Sequence, residues 1–548
     1  MIREEIVKLI EKSIKELQKT KKLPKFDLPE VQIECPGEKI HGDYSTNVVM
    51  VIAKKAKITT RPPRPPAKGG PLKPLEIAKL INWKLKIENG KFLDKVEVVE
   101  PGFINFFLSK EYLQKQVDEI LKQKEKFGQS KIGKGQKVNI EFISANPTGL
   151  LHLGHGRGAF FGDCLANVLE KAGYKVTREY YINDAKNSAQ IKELGKTAIG
   201  KGITYLNDYL KKKIQISKSK IQKCKNEGEA GYLLAQEIQK DIKNFIENKL
   251  KIKFDNWVSE ENLYRKSKVD KIYNWFKKEN LIYKKEKAEW LKTSKFGDKQ
   301  DWVIIRETGE PTYLLSDLAY HQDKFNRRFQ KIINIWGADH QGHVSKIKAA
   351  SKMLGFKGDL DILISQVVRL KRGKISKRKG ETITLEWLID EVGLDPARFI
   401  YLMKSSDTQM EFDVELAKER SEKSPVYYVQ YAHARICSIF KKAKMKEKQM
   451  MNKFTMVKLL QHPAELKLIR QIIRFPEIIE DTSKDCQVQR LPQYALDLAT
   501  AFHQFYRDCR VISDDKNLTQ ARLFLVLATK TVFKNTLDLM GVSAPEKM

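Results

Sequence analysis

The residues best suited to do chemistry stand in two runs far apart in the chain. His152 and His155 lie in SANPTGLLHLGHGRGAFFGD, and Lys374 and Lys377 lie in KISKR. Two imidazoles at the start of a helix can both face a phosphate, because a helix N-terminus offers unpaired amides and a positive dipole. Gly154 and Gly156 let a nucleotide lie against the backbone there. An H-x-x-H pair alone also fits a metal pair or a structural histidine. A basic pentapeptide alone usually means a solvated loop. On a loop beyond a strand's carboxyl end, though, lysines can close over a pyrophosphate and neutralise charge that develops in phosphoryl chemistry. A third run, WGADHQGH at 336–343, follows an apolar stretch. Gly337 there allows close approach to the backbone, with Asp339 and His340 beside it; one reading is a metal site made of Asp339, His340 and His343.

The elements that must position these groups follow from hydrophobic periodicity. Val138 to Ser144 reads as a strand, about His152 to Ala172 as a helix and Lys175 to Ile182 as the next strand. This βαβ order implies a parallel sheet with right-handed crossovers. Later strands are expected at Trp302 to Arg306, Lys331 to Trp336 and Ile362 to Leu370. If Thr312 to Phe325 is helical, Tyr313 and Asp317 share one face. The lysine-rich stretch from Tyr205 to Lys253 reads as a helical insertion. Ahead of the sheet, a small domain ends with the strand-like PGFINFFL and is interrupted by a proline-rich loop, Thr59 to Pro74. After Asp413 the periodicity is helical, at Tyr427 to Lys446, Leu491 to Val511 and Gln520 to Met540.

A chain of 548 residues exceeds one hydrophobic core and should form roughly three or four domains. No stretch approaches the roughly 18 uninterrupted apolar residues of a membrane span, and the acidic residues among the first lysines argue against a transit peptide. The six cysteines form no C-x-x-C pair, which suits a reducing cytoplasmic setting and excludes a zinc knuckle. A formal net charge of +33 fits a polyanionic partner as well as a merely lysine-rich proteome.

Taken together, HLGH after the first strand and KISKR after a late one resemble the HIGH and KMSKS signatures of class I aminoacyl-tRNA synthetases. The wider context is similar to the arginyl-tRNA synthetase family. HGDYSTNVVM and PGFINFFL resemble its N-terminal extra domain, and EFISANPTG, YYINDAKN, DPARFIYLM, QYAHARICSI and the ending GVSAPEKM follow in order. Leu150 stands where that family usually has proline, and the proline-rich loop is not expected in its extra domain.

The resemblance implies a multidomain α/β architecture: a Rossmann-like parallel-sheet catalytic domain (131–405, with a helical insertion at about 190–253), an N-terminal α+β extra domain (1–110) that contacts tRNA, and a C-terminal all-α anticodon-binding bundle (425–548). It implies ATP-dependent activation of L-arginine and transfer to the 3′ end of tRNA(Arg), with Mg2+ accompanying ATP, no structural metal and a monomer in the cytoplasm. His152, His155, Lys374 and Lys377 would serve the phosphates, and Gly154, Gly337, Asp339 and His340 the nucleotide. Glu260, Tyr313 and Asp317 would line the arginine pocket, Asn146 would orient the α-amino end, and Tyr431 would meet the anticodon. Glu260 alone also reads as surface charge, and Tyr431 as a core aromatic. Two rival functions are weighed: the cysteinyl enzyme, which needs zinc ligands that these scattered cysteines cannot supply, and a non-catalytic RNA-binding paralogue, against which the retained histidines and lysines speak.

Overall fold

A computed structural model of the protein describes residues 2–59, 73–87, 92–371, 383–444 and 454–548. The first helix, Ile2–Lys19, buries Ile6, Ile10, Ile14 and Leu17 along one stripe, as spacings of three and four residues dictate. Strands β1 (Tyr44–Thr46), β2 (Leu93–Val99) and β3 (Phe103–Leu108) form an antiparallel sheet in the order β1-β3-β2. Of the proline-rich run read as a loop, residues 60–72 lie outside the described residues; Thr59 ends the helix Val48–Thr59 and Pro74 opens the helix Pro74–Ile87. Proline suits that first helical position, where its missing N–H would have no partner.

The HGDYST run forms a seam with the C-terminal helices. Asp43 accepts the Arg470 Nε–H at 2.5 Å and the Leu108 N–H at 2.7 Å. The buried Tyr44 hydroxyl donates to Glu477 Oε1 at 2.9 Å. Side chains that mark this domain in the sequence therefore dock it.

The catalytic sheet begins with β4 (Lys137–Glu141), β5 (Lys175–Ile182) and β6 (Asn256–Ser259). A separate antiparallel sheet follows, β7 (Ile282–Lys285), β8 (Ala288–Leu291) and β9 (Trp302–Ile305). The chain then returns with β10 (Lys331–Gly337) and β11 (Asp359–Ser365), giving the order β11-β10-β4-β5-β6 with every neighbour parallel. Helix Leu153–Lys171 is the crossover between β4 and β5 and is buried along most of its length, as expected of a helix covering a parallel sheet.

Three sequence expectations are corrected. The strand expected at Trp302 to Arg306 exists but belongs to the small antiparallel sheet, because alternation marks a strand without naming its partners. The run Ile362 to Leu370 divides at Gln366 and Val367: β11 stays in the parallel sheet, whereas β12 (Val368–Leu370) pairs with β13 (Met410–Phe412). Strand β6 on the sheet edge was not anticipated; it is four residues long and only half-buried, so it carries little periodicity.

The insertion is helical, at Ala189–Ala198, Asp208–Ile221 and Glu227–Asn244. The C-terminal part packs Pro425–Ala443, Pro463–Ile473, Phe475–Asp485, Arg490–Asp508 and Lys516–Met540 into a bundle. Among the described residues no helix is long and apolar enough to cross a membrane.

Candidate active site

The turn between β4 and its helix is strained and tightly held. Ile143 and Ser144 have φ of 68° and 41°, a region a β-branched residue enters only when its surroundings impose it. The Tyr180 hydroxyl bonds both the N–H and the carbonyl of Ala145, at 3.1 and 3.2 Å. Asn183 donates to the Ser144 carbonyl at 3.2 Å, and Ser144 Oγ accepts the Tyr181 N–H at 3.1 Å. Asn146, one residue beyond, is exposed.

His152 caps the helix. Its Nδ1 accepts the Gly154 N–H at 3.1 Å, and His155 Nδ1 accepts the His152 N–H at 3.0 Å. Each imidazole therefore uses Nδ1 as acceptor, which leaves the proton of the neutral ring on Nε2. Burial holds the His152 pKa below the usual histidine value, although the Asp339 carboxylate works against it. Burial and the His152 ring push His155 down to about 3. The two rings, 3.8 Å apart, thus present neutral Nε2–H donors. A Cβ on Gly156 would stand 2.8 Å from Leu385 Cδ1 and 3.1 Å from Tyr401 Cζ. That glycine permits close helix packing; a Cβ on Gly154 would meet the His152 ring at 2.9 Å.

The expected carboxylates come together. Glu260, on the first turn after β6, is 3% exposed, so the surface-charge alternative fails. Burial, with Asp184 nearby, pushes it up to about 7 against a hydrogen bond from Ser316. Asp317 stays half-buried on helix Tyr313–Asn326; burial and then the Glu260 charge push it up to about 8. Two acids held up by burial, with the Glu260 charge also raising the cost of ionising Asp317, suit a cation between them. Tyr313 opens that helix at the rim, 41% exposed, with its hydroxyl accepting the Ala189 N–H at 3.0 Å.

Two supports of this pocket had escaped the sequence reading. Asp184, in YYINDAKN, accepts from Ser259 Oγ at 2.8 Å, from Gln236 at 2.8 Å and from the Glu261 N–H at 3.0 Å, which fixes the turn carrying Glu260. Behind Asp317 runs a buried polar chain. The Asp317 carbonyl accepts from His321 Nδ1 at 2.7 Å, and His321 Nε2 accepts from Asn334 at 2.8 Å. Asn334 Oδ1 accepts from Lys324 at 2.9 Å, Lys324 pairs with Glu141 at 2.5 Å, and Glu141 accepts from Ser144 Oγ at 3.0 Å. The pocket helix and the strained turn are thus one hydrogen-bonded unit. The available signal was Asn334 inside the apolar run KIINIW.

Gly337 ends β10, and Asp339 folds back so closely that a Cβ on Gly337 would lie 2.5 Å from its Oδ1. Asp339 and His340 are exposed, 3.4 Å apart, at the carboxyl end of the sheet. Among the described residues no three His, Cys, Asp or Glu side chains are grouped to hold a metal ion. Lys374 and Lys377 lie outside the described residues. Ile383, the first described residue after them, accepts the Leu153 N–H at 3.3 Å, and Leu385 donates to the Leu151 carbonyl at 2.8 Å. The chain following KISKR therefore runs beside His152.

In the helical bundle, Tyr431 is half-buried and stacks on Tyr427, centroids 5.9 Å apart and rings 10° from parallel. The Arg435 guanidinium donates to the Tyr431 hydroxyl at 2.6 Å and lies 4.6 Å over its ring and 5.0 Å over that of Tyr506. This aromatic and arginine cluster reaches the surface, where it can stack on bases. Tyr494, by contrast, is a core side chain, 2% exposed.

Comparison with known proteins accounts for the chain from end to end. Residues 4–108 match the arginyl tRNA synthetase N terminal domain, 116–437 the class I (R) tRNA synthetase catalytic domain, and 429–548 the DALR anticodon binding domain. The arginine–tRNA ligase of Caldanaerobacter subterraneus is 39% identical over 571 residues, covering 100% of this chain and 99% of that protein. That of Geobacillus thermodenitrificans is 41% identical, with 95% of each covered. The Thermus thermophilus arginyl-tRNA synthetase structure superposes with a TM-score of 0.77 at 20% identity over 100% of both chains. With all three domain models matched in order and full-length relatives at this identity, the chain belongs to the arginyl-tRNA synthetase family.

Proposed function

We infer that the protein is an arginine–tRNA ligase that uses ATP to activate L-arginine and transfers the arginyl group to the 3′ end of tRNA(Arg). The observation that carries this reading is the pair of acids Glu260 and Asp317, both raised by burial and Asp317 also by the Glu260 charge, on the same sheet end as the neutral His152 and His155 donors. A guanidinium is permanently charged and is best met by forked carboxylates. Its binding would hold the arginine carboxylate in line with the α-phosphate.

The reaction needs no protein nucleophile. Positioning and electrostatic stabilisation do the work. The Nε2–H groups of His152 and His155 donate to phosphate oxygens, Asp339 and Gly337 receive the ribose with His340 beside them, and Asn146 orients the α-amino end. Lys374 and Lys377 neutralise the departing pyrophosphate, a role consistent with a chain that returns past Leu153. Mg2+ would accompany ATP, held mainly by phosphate oxygens and water. Tyr431 and its neighbours take the anticodon, while 1–110 offers a further tRNA surface. One chain supplies every proposed side chain, so a monomer suffices for the reaction; six cysteines without a disulfide among them suit the cytoplasm.

The test is aminoacylation of total tRNA with each labelled amino acid in turn. Charging confined to arginine is expected, and charging with any other amino acid would overturn the reading.

A further inference from the structure

Six tyrosines are fully buried among the described residues: Tyr44, Tyr180, Tyr181, Tyr320, Tyr401 and Tyr494. Five of their hydroxyls are hydrogen-bonded, to Glu477, Ala145, Glu179, Leu153 and Gln471 respectively for Tyr44, Tyr180, Tyr320, Tyr401 and Tyr494. The sixth, on Tyr181, has no partner although the residue is only 4% exposed. Buried polar groups are paired almost without exception, so an unpaired one calls for a reason.

Its position supplies one. Successive residues of a strand face opposite sides of the sheet. Tyr180 turns toward Trp257 and the Ala145 turn, while Tyr181 turns with Glu179 toward helix Tyr313–Asn326. There the Tyr181 ring stacks on Tyr320, centroids 4.1 Å apart and planes 14° from parallel, and Tyr320 follows Asp317 by one helical turn. On its other side Tyr181 pairs in register with Val258, two residues before Glu260. Tyr181 thus stands between the two elements that carry the pocket acids, its ring against one and its strand beside the other.

We propose that the Tyr181 hydroxyl is a further part of the amino-acid pocket and accepts one N–H of the bound guanidinium. The proposal rests on the reading of Glu260 and Asp317 as its counter-charges. A guanidinium has five N–H donors. Two carboxylates each meeting the guanidinium as a two-bond fork take four of these, and a phenol oxygen is a neutral acceptor for the fifth. Burial first, and then the Glu260 and Asp317 charges, hold this phenol protonated, so it adds an acceptor without adding a third negative charge.

The experiment is Tyr181→Phe, which keeps the stacked ring and removes only the hydroxyl, assayed with saturating ATP and tRNA beside Asp317→Asn. Loss of a hydrogen bond to a charged group should raise the KM for arginine about 10- to 150-fold, with the KM for ATP unchanged. The Tm of the free variant should hold or rise, because an unpaired buried hydroxyl has been removed. A folded Tyr181→Phe enzyme with an unaltered arginine KM, while Asp317→Asn is impaired, overturns the proposal alone. Unaltered arginine kinetics in both variants would instead show that the pocket lies elsewhere. A lowered Tm in Tyr181→Phe would mean that the hydroxyl is already paired inside the free protein, and would also overturn it.

Discussion

Lys324 Nζ lies 2.5 Å from Glu141 Oε2, with the lysine side chain fully shut off from solvent and the glutamate nearly so. Removing one partner of such a pair leaves an uncompensated buried charge, typically at a cost of about 3–5 kcal/mol. Lys324→Met should therefore destabilise the protein by about that amount, and Glu141→Gln added to it should recover most of the loss. Chemical denaturation of the two single variants and the double variant measures this. Full-stability single variants would mean that the pair does not hold the turn at Ser144 to the pocket helix.

The capping geometry assigns different work to the two nitrogens of His155, and substitution can separate them. His155→Asn keeps an acceptor near the Nδ1 position and loses the Nε2–H donor. His155→Gln does the reverse. The Asn variant should retain its Tm and lose adenylate formation by about 10²- to 10³-fold, the usual effect of removing one transition-state donor. The Gln variant should lose less activity and give up about 0.5–2 kcal/mol of stability with the cap. If both variants fall together in rate and Tm, the tautomer derived from the cap is wrong.

What was legible in the sequence divides along physical lines. Strand β5 and the start of β10 could be bounded to within a residue because both are interior strands rich in β-branched and aromatic residues. Glu260 and Asp317 are singled out in the sequence only through resemblance, since no local pattern distinguishes a pocket acid from a surface one. Their coupling needed the fold: β6 places Glu260 beside β5, and the helix before β10 places Asp317 opposite. The polar chain from Asp317 to Ser144 was out of reach for the same reason, joining as it does residues on three elements. The close packing of Gly156 against Leu385 and Tyr401 was out of reach too, because a glycine near a nucleotide turn serves helix packing as readily as ligand approach.

Arginine binding should depend on pH. Glu260, raised to about 7, is faced by Asp184 and Glu261; Asp317, raised to about 8, is faced by Glu260, Glu141, Lys324 and Lys346. Near neutral pH the free pocket is partly protonated, whereas a guanidinium favours the ionised forms. Binding therefore releases protons, and affinity should rise as pH increases through about 7 to 8, being roughly tenfold or more weaker near pH 6 than near pH 9. Calorimetry in buffers of different ionisation enthalpy counts the protons released. A pH-independent Kd with no proton release would remove the acid pair from the site.

Asp317→Asn should damage function while relieving the free protein. With the substrate bound, the variant leaves a partly desolvated guanidinium short of one counter-charge, which costs about 3–5 kcal/mol, or about two to three and a half decades in kcat/KM for arginine. A merely surface aspartate would cost under about 1 kcal/mol. Without substrate the sign reverses. The folded-state pKa of Asp317 lies above its unfolded value, so the folded protein holds that proton more tightly, and the aspartate subtracts stability increasingly as pH rises from about 4 toward about 8. Asparagine has no such penalty, so the Tm gap between variant and wild type should open in the variant's favour over that window and vanish near pH 4. Adding arginine should then stabilise the wild type far more than the variant. A variant within about threefold of wild type in kcat/KM, melting at the wild-type temperature at every pH, would place Asp317 outside the pocket and leave Glu260 as the residue that meets the guanidinium.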